Sequence, residues 1–231
     1  MARVRRLAPL AAMLALVALG AGCSAEPAPP ASPSAPVLPS AVPSPSTPRE
    51  IPSVAPDIRE PARSFLTIPR LGLRDYPVIR YRGSPDDAEG TRLQNDGSLA
   101  SPRGATGGTA PGEIGNYIVT GHRLSSTEPF RYLPSLPDGS RIWIRVGHVQ
   151  HVYEVRRTQW TSFRSPRSLA AQRAPVPGRP GVEATRPMIT LSTCATIEDH
   201  AAGNYWADEF DNPEHRIEKI GVLVASRPVT D

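Results

Sequence analysis

PMITLSTC, residues 187–194, is an apolar run of β-prone residues that stops at a cysteine. Residues such as Ile and Thr favour strands, so this stretch predicts a strand that ends at Cys194 and opens into a loop. Cys194 is the only cysteine beyond residue 23. The question that follows is what an unpaired thiol does at the end of this strand.

Further runs of the same texture flank this one on both sides. They are SFLTIPRLGL, DYPVIRY, NYIVTGH, SRIWIRV, HVYEVRRTQW and RIEKIGVLVAS. Turn-prone segments such as SPRGATGGTAPGEIGN and RAPVPGRPG separate the runs, and STEPFRYLPSLPDG predicts a short helical turn. The residues alone therefore predict an all-β domain of seven or eight strands with few helices, either a barrel or a sandwich.

The charge of the chain is small and dispersed. The formal net charge is +4, and Arg3, Arg5 and Arg6 at the extreme N-terminus supply most of it. The other basic residues are scattered, and Lys219 is the only lysine. The pattern does not predict binding to nucleic acid, because no basic face is concentrated along the sequence.

The first 23 residues have the pattern of a targeting segment. MARVRR is a positive n-region, Leu7–Ala21 is apolar, and LGAGCS places small residues before Cys23. This resembles a lipoprotein signal in which Cys23 is lipidated, although Gly20 stands where leucine is usual. An uncleaved anchor is the alternative, since Leu7–Ala25 is uncharged over nineteen residues. Both interpretations tether the rest of the chain to the extracellular face of the membrane.

Residues 24–62 predict a disordered linker. About a third of this segment is proline, and Ala and Ser make up most of the rest. Such a composition buries too little apolar surface to order itself, and proline removes the backbone donors that a sheet needs. The predicted folded domain is therefore 63–231.

An exported, unpaired thiol is a target for oxidation, so its retention favours a use in catalysis over a place in the core. A nucleophilic cysteine needs a nearby acid or base and a group that stabilises charge on the attacked carbonyl. Of the five histidines, His122 is the best placed, because the predicted strand NYIVTG delivers it to the rim of the sheet. His148 and His151 fall in a hairpin-like stretch, and His200 could reach Cys194 only through a loop.

Several of these stretches together resemble the sortase family. TLSTC is similar to its cysteine signature, GNYIVTGHR to its histidine motif and HRIEKIGVLVA to its last, arginine-bearing strand. The resemblance runs in order from Ser64 to Ser226 and is nearest to the class E or class F sortases of Gram-positive bacteria. It implies a closed eight-stranded β-barrel with short helices and loops.

The resemblance also implies the chemistry. Cys194 would be the nucleophile, His122 the acid/base and Arg216 the residue that stabilises the transition state, with Thr193 lining the substrate pocket or oxyanion hole. The substrates would be secreted proteins with a C-terminal sorting signal of the Leu-Pro-x-Thr-Gly or Leu-Ala-x-Thr-Gly type. The acceptor would be an amine on a peptidoglycan precursor or a pilin lysine. No cofactor or metal is expected.

One feature departs from the family pattern. Twenty-one residues, 195–215, separate Cys194 from Arg216, which is long for a sortase. We interpret this segment as an extended active-site loop. Arg186, before the strand that carries Cys194, is the weaker candidate for the arginine.

Two other functions compete with a sortase. An L,D-transpeptidase is also an extracellular cysteine enzyme, but its cysteine normally follows His-Gly and is trailed closely by arginine, unlike STCATIED. The second is a non-catalytic lipoprotein built on the same barrel. It would be favoured by loss of the cysteine, histidine or arginine, and all three are present.

Overall fold

Strands form where the sequence is rich in β-branched and aromatic residues, and turns rich in glycine and proline separate them. The computed structural model describes residues 63–229. Eight strands lie within that range. They are β1 (Arg63–Ile68), β2 (Leu73–Arg82), β3 (Leu99–Arg103), β4 (Gly115–Thr120), β5 (Arg141–Val146), β6 (Val149–Ser162), β7 (Pro187–Cys194) and β8 (His215–Pro228).

The strands close into a barrel in the order β1-β2-β3-β4-β7-β8-β6-β5. Two neighbouring pairs are parallel, β2 with β3 and β4 with β7, and the others are antiparallel. The closed eight-stranded barrel confirms the fold that the resemblance implied and decides between barrel and sandwich. Closure also leaves no strand at a free sheet edge.

The interior of the barrel is apolar because successive residues of a strand point to opposite faces. On β7, Ile189 and Leu191 belong to the core cluster. The cluster's fully buried members come from every strand except β8 and from the segment between β4 and β5. They include Leu66, Ile68, Val78, Leu99, Tyr117, Val119, Phe130, Leu133, Ile142, Ile144, Tyr153 and Val155. Such tightly packed layers hold the strand ends in fixed positions.

Three short helices lie between strands: α1 (Ala88–Asn95), α2 (Pro166–Arg173) and α3 (Thr196–Ala201). Asp87 caps α1 by accepting from the backbone N–H of Gly90, and Ser165 caps α2 with proline following it. Both caps satisfy donors that a helix start leaves unpaired. The predicted helical turn is present as a 3-10 turn at Leu133–Ser135.

Local structure differs from the sequence-based expectation in two places. Leu99–Arg103 is a strand, although SPR was assigned to a turn; it pairs in parallel with β2 over five residues. The segment after Cys194 is not a loop throughout, because α3 occupies its first part. β3 is held by its pairing with β2 and by the burial of Leu99 in the core cluster.

The predicted signal or anchor, 1–23, and the linker, 24–62, lie outside the described residues. β1 begins at Arg63, the first residue described. Between residues 63 and 229, no helix combines the length and the apolar character that a membrane span requires.

Candidate active site

Strand register brings the three predicted catalytic residues to one end of the barrel. Cys194 on β7 lies directly opposite Arg216 on β8. β4 runs parallel to β7 with Thr120 opposite Ser192, so His122 follows just beyond the paired ends. Gly121 permits this approach, because a Cβ there would stand 2.3 Å from Leu99 and 2.8 Å from Phe130. The barrel thus delivers a thiol, an imidazole and a guanidinium from three adjacent strands.

A cavity of about 250 Å³ lies over Cys194 and His122. Both the end of α1 and the segment before β8 contribute to its wall. Its lining residues are Thr91, Asn95, His122, Arg123, Leu124, Ser125, Cys194, Thr196, Phe210, Asp211, Asn212 and Pro213. The long segment between Cys194 and Arg216 therefore forms part of the site, as predicted for an active-site loop.

His122 is oriented by an amide at the end of α1. Its Nε2 lies 2.7 Å from Oδ1 of Asn95. An amide oxygen can only accept a hydrogen bond, so Nε2 carries the proton and Nδ1 is the nitrogen left to exchange one in the neutral ring. Asn95 was not identified from the sequence.

Burial sets the protonation states of the thiol and the imidazole. It raises the pKa of the Cys194 thiol above its ordinary value, an effect that the positive charge of Arg216 opposes. Burial also lowers the pKa of His122, with the negative charge of Asp86 acting in the other direction. Both groups are therefore mainly neutral at neutral pH, and the thiolate–imidazolium pair is a minor form.

Arg216 is fully buried and firmly held. Its Nε donates to Oδ2 of Asp86 at 2.8 Å, and its Nη1 donates to the carbonyl oxygen of Pro213 at 2.9 Å. The ring of Phe163 lies against the guanidinium, with its centroid 4.0 Å from Cζ. Nη2 is buried and has no hydrogen-bond partner within residues 63–229. It is the one nitrogen of this guanidinium without a partner there, and Arg216 is not among the residues that line the cavity.

Thr193 occupies a different environment from the one predicted. Its side chain is buried, and its hydroxyl donates to the carbonyl oxygen of Gly121 at 2.7 Å. It is not among the residues that line the cavity. The hydroxyl instead ties the end of β7 to the residue before His122.

The other histidines lie away from this arrangement or act in its support. His148 is in the exposed turn between β5 and β6, and His151 follows on β6, where Nδ1 contacts the hydroxyl of Ser226. His200 is exposed on α3 and stacks with Tyr205. His215 contacts Asp199 through Nδ1 at 2.7 Å and thereby links β8 to α3.

Two charged residues near the site were missed by the sequence analysis. Asp86, before α1, forms the buried ion pair with Arg216 across 130 positions of sequence. Arg123, beside His122, pairs with Glu198 on α3 and donates to the carbonyl oxygen of Cys194. A signal was available only for Arg123, which lies inside the GNYIVTGHR stretch.

The acidic residues after Cys194 serve local contacts. Asp199 accepts from the backbone N–H of His215, and Asp208 accepts from the backbone N–H groups of Phe210 and Asn212. In the part of the chain described, no three His, Cys, Asp or Glu side chains are placed to hold a metal ion.

A family model described as the sortase domain matches residues 66–207, which include His122 and Cys194. The chain belongs to the sortase family. Sortases are cysteine transpeptidases that act on sorting-signal substrates and amine acceptors. The matched range ends before Arg216. No curated protein sequence matches the chain.

Solved sortase structures share the fold. Sortase E1 from Streptomyces coelicolor, solved with a tripeptide in its active site, has 24% identity and a TM-score of 0.52, covering 72% of this chain and 90% of that one. SrtA from Actinomyces oris has 19% identity and a TM-score of 0.54, with coverages of 72% and 81%. SrtF from Corynebacterium diphtheriae has 16% identity and a TM-score of 0.53, with coverages of 73% and 87%. These near-equal scores do not separate the sortase classes.

Proposed function

We propose that this sortase cleaves a C-terminal sorting signal between Thr and Gly through a thioacyl-enzyme on Cys194. The signal would be of the Leu-Pro-x-Thr-Gly or Leu-Ala-x-Thr-Gly type, and the acyl group would pass to an amine on a peptidoglycan precursor or a pilin lysine. The observation that supports this most is the shared cavity of Cys194 and His122, with Arg216 directly opposite Cys194 on the next strand.

The first half of the reaction is acylation. The Cys194 thiolate attacks the threonine carbonyl carbon and forms the C–S bond. Protonated His122 gives its proton to the glycine nitrogen as the C–N bond breaks, so the leaving group departs as a neutral amine. Arg216 stabilises the developing oxyanion or the neighbouring substrate backbone, and Nη2 is its available donor.

The second half is transfer to the acceptor. The incoming amine attacks the thioester carbonyl and gives up a proton to His122, and the C–S bond breaks to restore the thiolate. Thiolate and imidazolium are thus both regenerated. Attack by water in place of the amine would give hydrolysis, which is the reason for placing the enzyme among the peptidases.

The N-terminal sequence supports a proposal for where the protein works. We propose that the protein works at the extracellular face of the cytoplasmic membrane, tethered by lipid on Cys23 or by an uncleaved anchor, with 24–62 as a spacer. The class E or class F assignment rests on the motif resemblance. Mass spectrometry of the native protein decides between diacylglycerol on Cys23 and an intact N-terminus.

A second cavity is larger but chemically different. It measures about 390 Å³ and lies around Arg157, Arg186 and Met188 at the other end of β7. Neither cysteine nor histidine is among its lining residues. Chemistry rather than size therefore supports the cavity at Cys194 as the reaction site.

The test is to trap the acyl-enzyme. The purified full chain is incubated with a peptide library of the Leu-x-x-Thr-Gly type and no amine acceptor, and intact-mass and peptide mass spectrometry follow. We expect an adduct that ends in threonine on Cys194, and none with Cys194→Ala or with peptides in which D-threonine replaces threonine. Adducts on other residues, or cleavage by Cys194→Ala, would exclude this mechanism. A folded protein that binds peptide without any adduct would favour the non-catalytic alternative, and adducts from peptidoglycan tetrapeptides alone would favour L,D-transpeptidation.

A further inference from the structure

Asp86 is buried at the active site with no part in the reaction described above. Its Oδ2 accepts from Nε of Arg216 at 2.8 Å, and its Oδ1 accepts from Nε2 of Gln94 at 3.0 Å. Gln94 is itself anchored to the hydroxyl of Thr120 at the end of β4. Both carboxylate oxygens are therefore fixed, and the carboxylate links β8 to β4 through α1.

The backbone at Asp86 supports a specific placement. Its φ of 59° lies in the left-handed region, which costs free energy for a residue other than glycine. The next residue, Asp87, caps α1, and its carboxylate also accepts a hydrogen bond from the backbone N–H of Ser84. The two adjacent carboxylates thus have different roles. Asp87 caps α1, and Asp86 pairs with Arg216.

We propose that Asp86 is a positioning residue for Arg216: it clamps Nε so that Nη2 is presented as the single free donor to the substrate. Rotation of the guanidinium is blocked from three sides, by Asp86 at Nε, by the Pro213 carbonyl at Nη1 and by the ring of Phe163. Because Nη1 and Nε already donate to protein oxygens, only Nη2 can donate a hydrogen bond to the negative charge that develops on the substrate. The assignment to catalysis rests on the proposed function.

The same carboxylate also balances the charge of the site. The groups that act on Cys194 are Arg216 on β8, Arg123 after β4, Asp86 before α1 and Asp208 in the segment before β8. Asp86 raises the pKa of the Cys194 thiol and also raises that of His122. Removal of its charge should therefore lower the pKa of both groups together, whereas a purely structural defect would not shift them in one direction.

The experiment compares Asp86→Asn with Asp87→Asn in the full chain. Asparagine caps a helix about as well as aspartate, so Asp87→Asn is a matched control that changes one charge next door without touching Arg216. We expect Asp86→Asn to reduce kcat at least about tenfold with KM little changed, because the donor is misplaced in the transition state. Both limbs of its kcat/KM profile should move to lower pH, and alkylation of Cys194 by iodoacetamide at neutral pH should become at least about threefold faster.

Alkylation needs no substrate, so it separates this inference from the proposed function. If the wild-type protein forms no acyl-enzyme, the proposed function fails, and the alkylation profile still decides whether Asp86 governs the thiol. A folded Asp86→Asn protein whose kcat or thiol profile matches Asp87→Asn would overturn the proposal.

Loss of Asp86 leaves a buried guanidinium uncompensated and could prevent folding. Gln94→Met then provides the test, since it frees Oδ1 but keeps the charge. We expect a smaller loss of kcat with the alkylation profile unchanged, and wild-type kcat in a folded Gln94→Met protein would overturn the clamp.

Discussion

Arg123 binds Glu198 through both terminal nitrogens of its guanidinium, and the pair joins the residue after His122 to the helix that follows Cys194. Nη1 of Arg123 also donates to the carbonyl oxygen of Cys194 at 3.2 Å. The Arg123 side chain is buried, while that of Glu198 is about one-third exposed. The Arg123 side chain therefore supports the positions of both Cys194 and His122.

Replacing Arg123 should loosen the placement of His122 relative to Cys194. We expect Arg123→Met to lower kcat/KM by about tenfold or more, because His122 and Cys194 lose their common support. Stability should fall by about 1–3 kcal/mol, since partial exposure of Glu198 softens the cost of leaving it unpaired. Steady-state kinetics and thermal melting measure the two effects. Arg131→Met is the control, because it removes an arginine from an exposed pair with Glu128, and it should change neither kcat/KM nor stability. Full activity in Arg123→Met would contradict this role of Arg123.

The pH profile of the wild-type enzyme tests the protonation states. With the pKa of His122 below 6.5 and that of Cys194 above 9.0, kcat/KM should be bell-shaped with its acid limb below the first value and its alkaline limb above the second. The rate in the plateau is limited by the small fraction of thiolate–imidazolium. Initial rates from about pH 5 to about pH 10 give the limbs. An alkaline limb well below pH 9.0 would mean that Arg216 outweighs burial at the thiol.

A lysine cannot replace Arg216. The guanidinium divides its donors between Asp86, the Pro213 carbonyl and a free Nη2, whereas an ammonium group offers one compact donor centre. We expect Arg216→Lys to lower kcat/KM by about two orders of magnitude or more. Arg186→Lys, at an exposed position just before β7, is the matched control and should be active. Severe loss in Arg186→Lys with a nearly silent Arg216→Lys would move the arginine role to Arg186.

Much of the barrel could be predicted from sequence because most of its strands carry β-branched and aromatic residues in runs. β3 escaped prediction, since LASPR lacks such residues and its pairing with β2 is set by the fold. α1 and α2 were missed although their caps, Asp87 and Ser165 followed by proline, are local signals that could have been used.

The supporting residues of the site were a different problem. Asn95 meets His122 across 27 positions, and Asp86 meets Arg216 across 130. Nothing in the spacing of a single sequence encodes such pairs, because closure of the barrel brings them together. Cys194, His122 and Arg216 could be placed because each lies at a strand end that the sequence marks, whereas Thr193 shows that a neighbour of the nucleophile can face the opposite side of its strand.

A last prediction concerns Glu218, which lies on β8 two residues beyond Arg216 and is fully buried. Nε2 of Gln172 on α2 donates to its Oε1 at 2.6 Å, and Nε2 of Gln159 donates to its Oε2 at 3.1 Å. Burial nevertheless raises the pKa of Glu218 from 4.5 to about 7. The carboxyl group therefore keeps its proton in the folded protein over a range where the unfolded chain releases it.

The consequence is a loss of stability as pH rises. Below pH 4.5 Glu218 is protonated in both the folded and the unfolded state, so it does not change the free energy of unfolding. Between pH 4.5 and about 7 only the folded state holds the proton, so the free energy of unfolding falls as pH rises. Above about pH 7 the loss of stability is complete. It amounts to about 3 kcal/mol. Glu218→Gln removes this titration, so we expect the melting temperature of the variant minus that of the wild type to be several degrees more positive near pH 8 than near pH 5. Glu154→Gln, which disrupts surface ion pairs with Arg141 and Arg156, should show little difference between the two conditions. An equal difference at both pH values for Glu218→Gln would mean that the buried carboxyl is ionised in the folded protein throughout, with Gln172 and Gln159 sufficient to hold its charge.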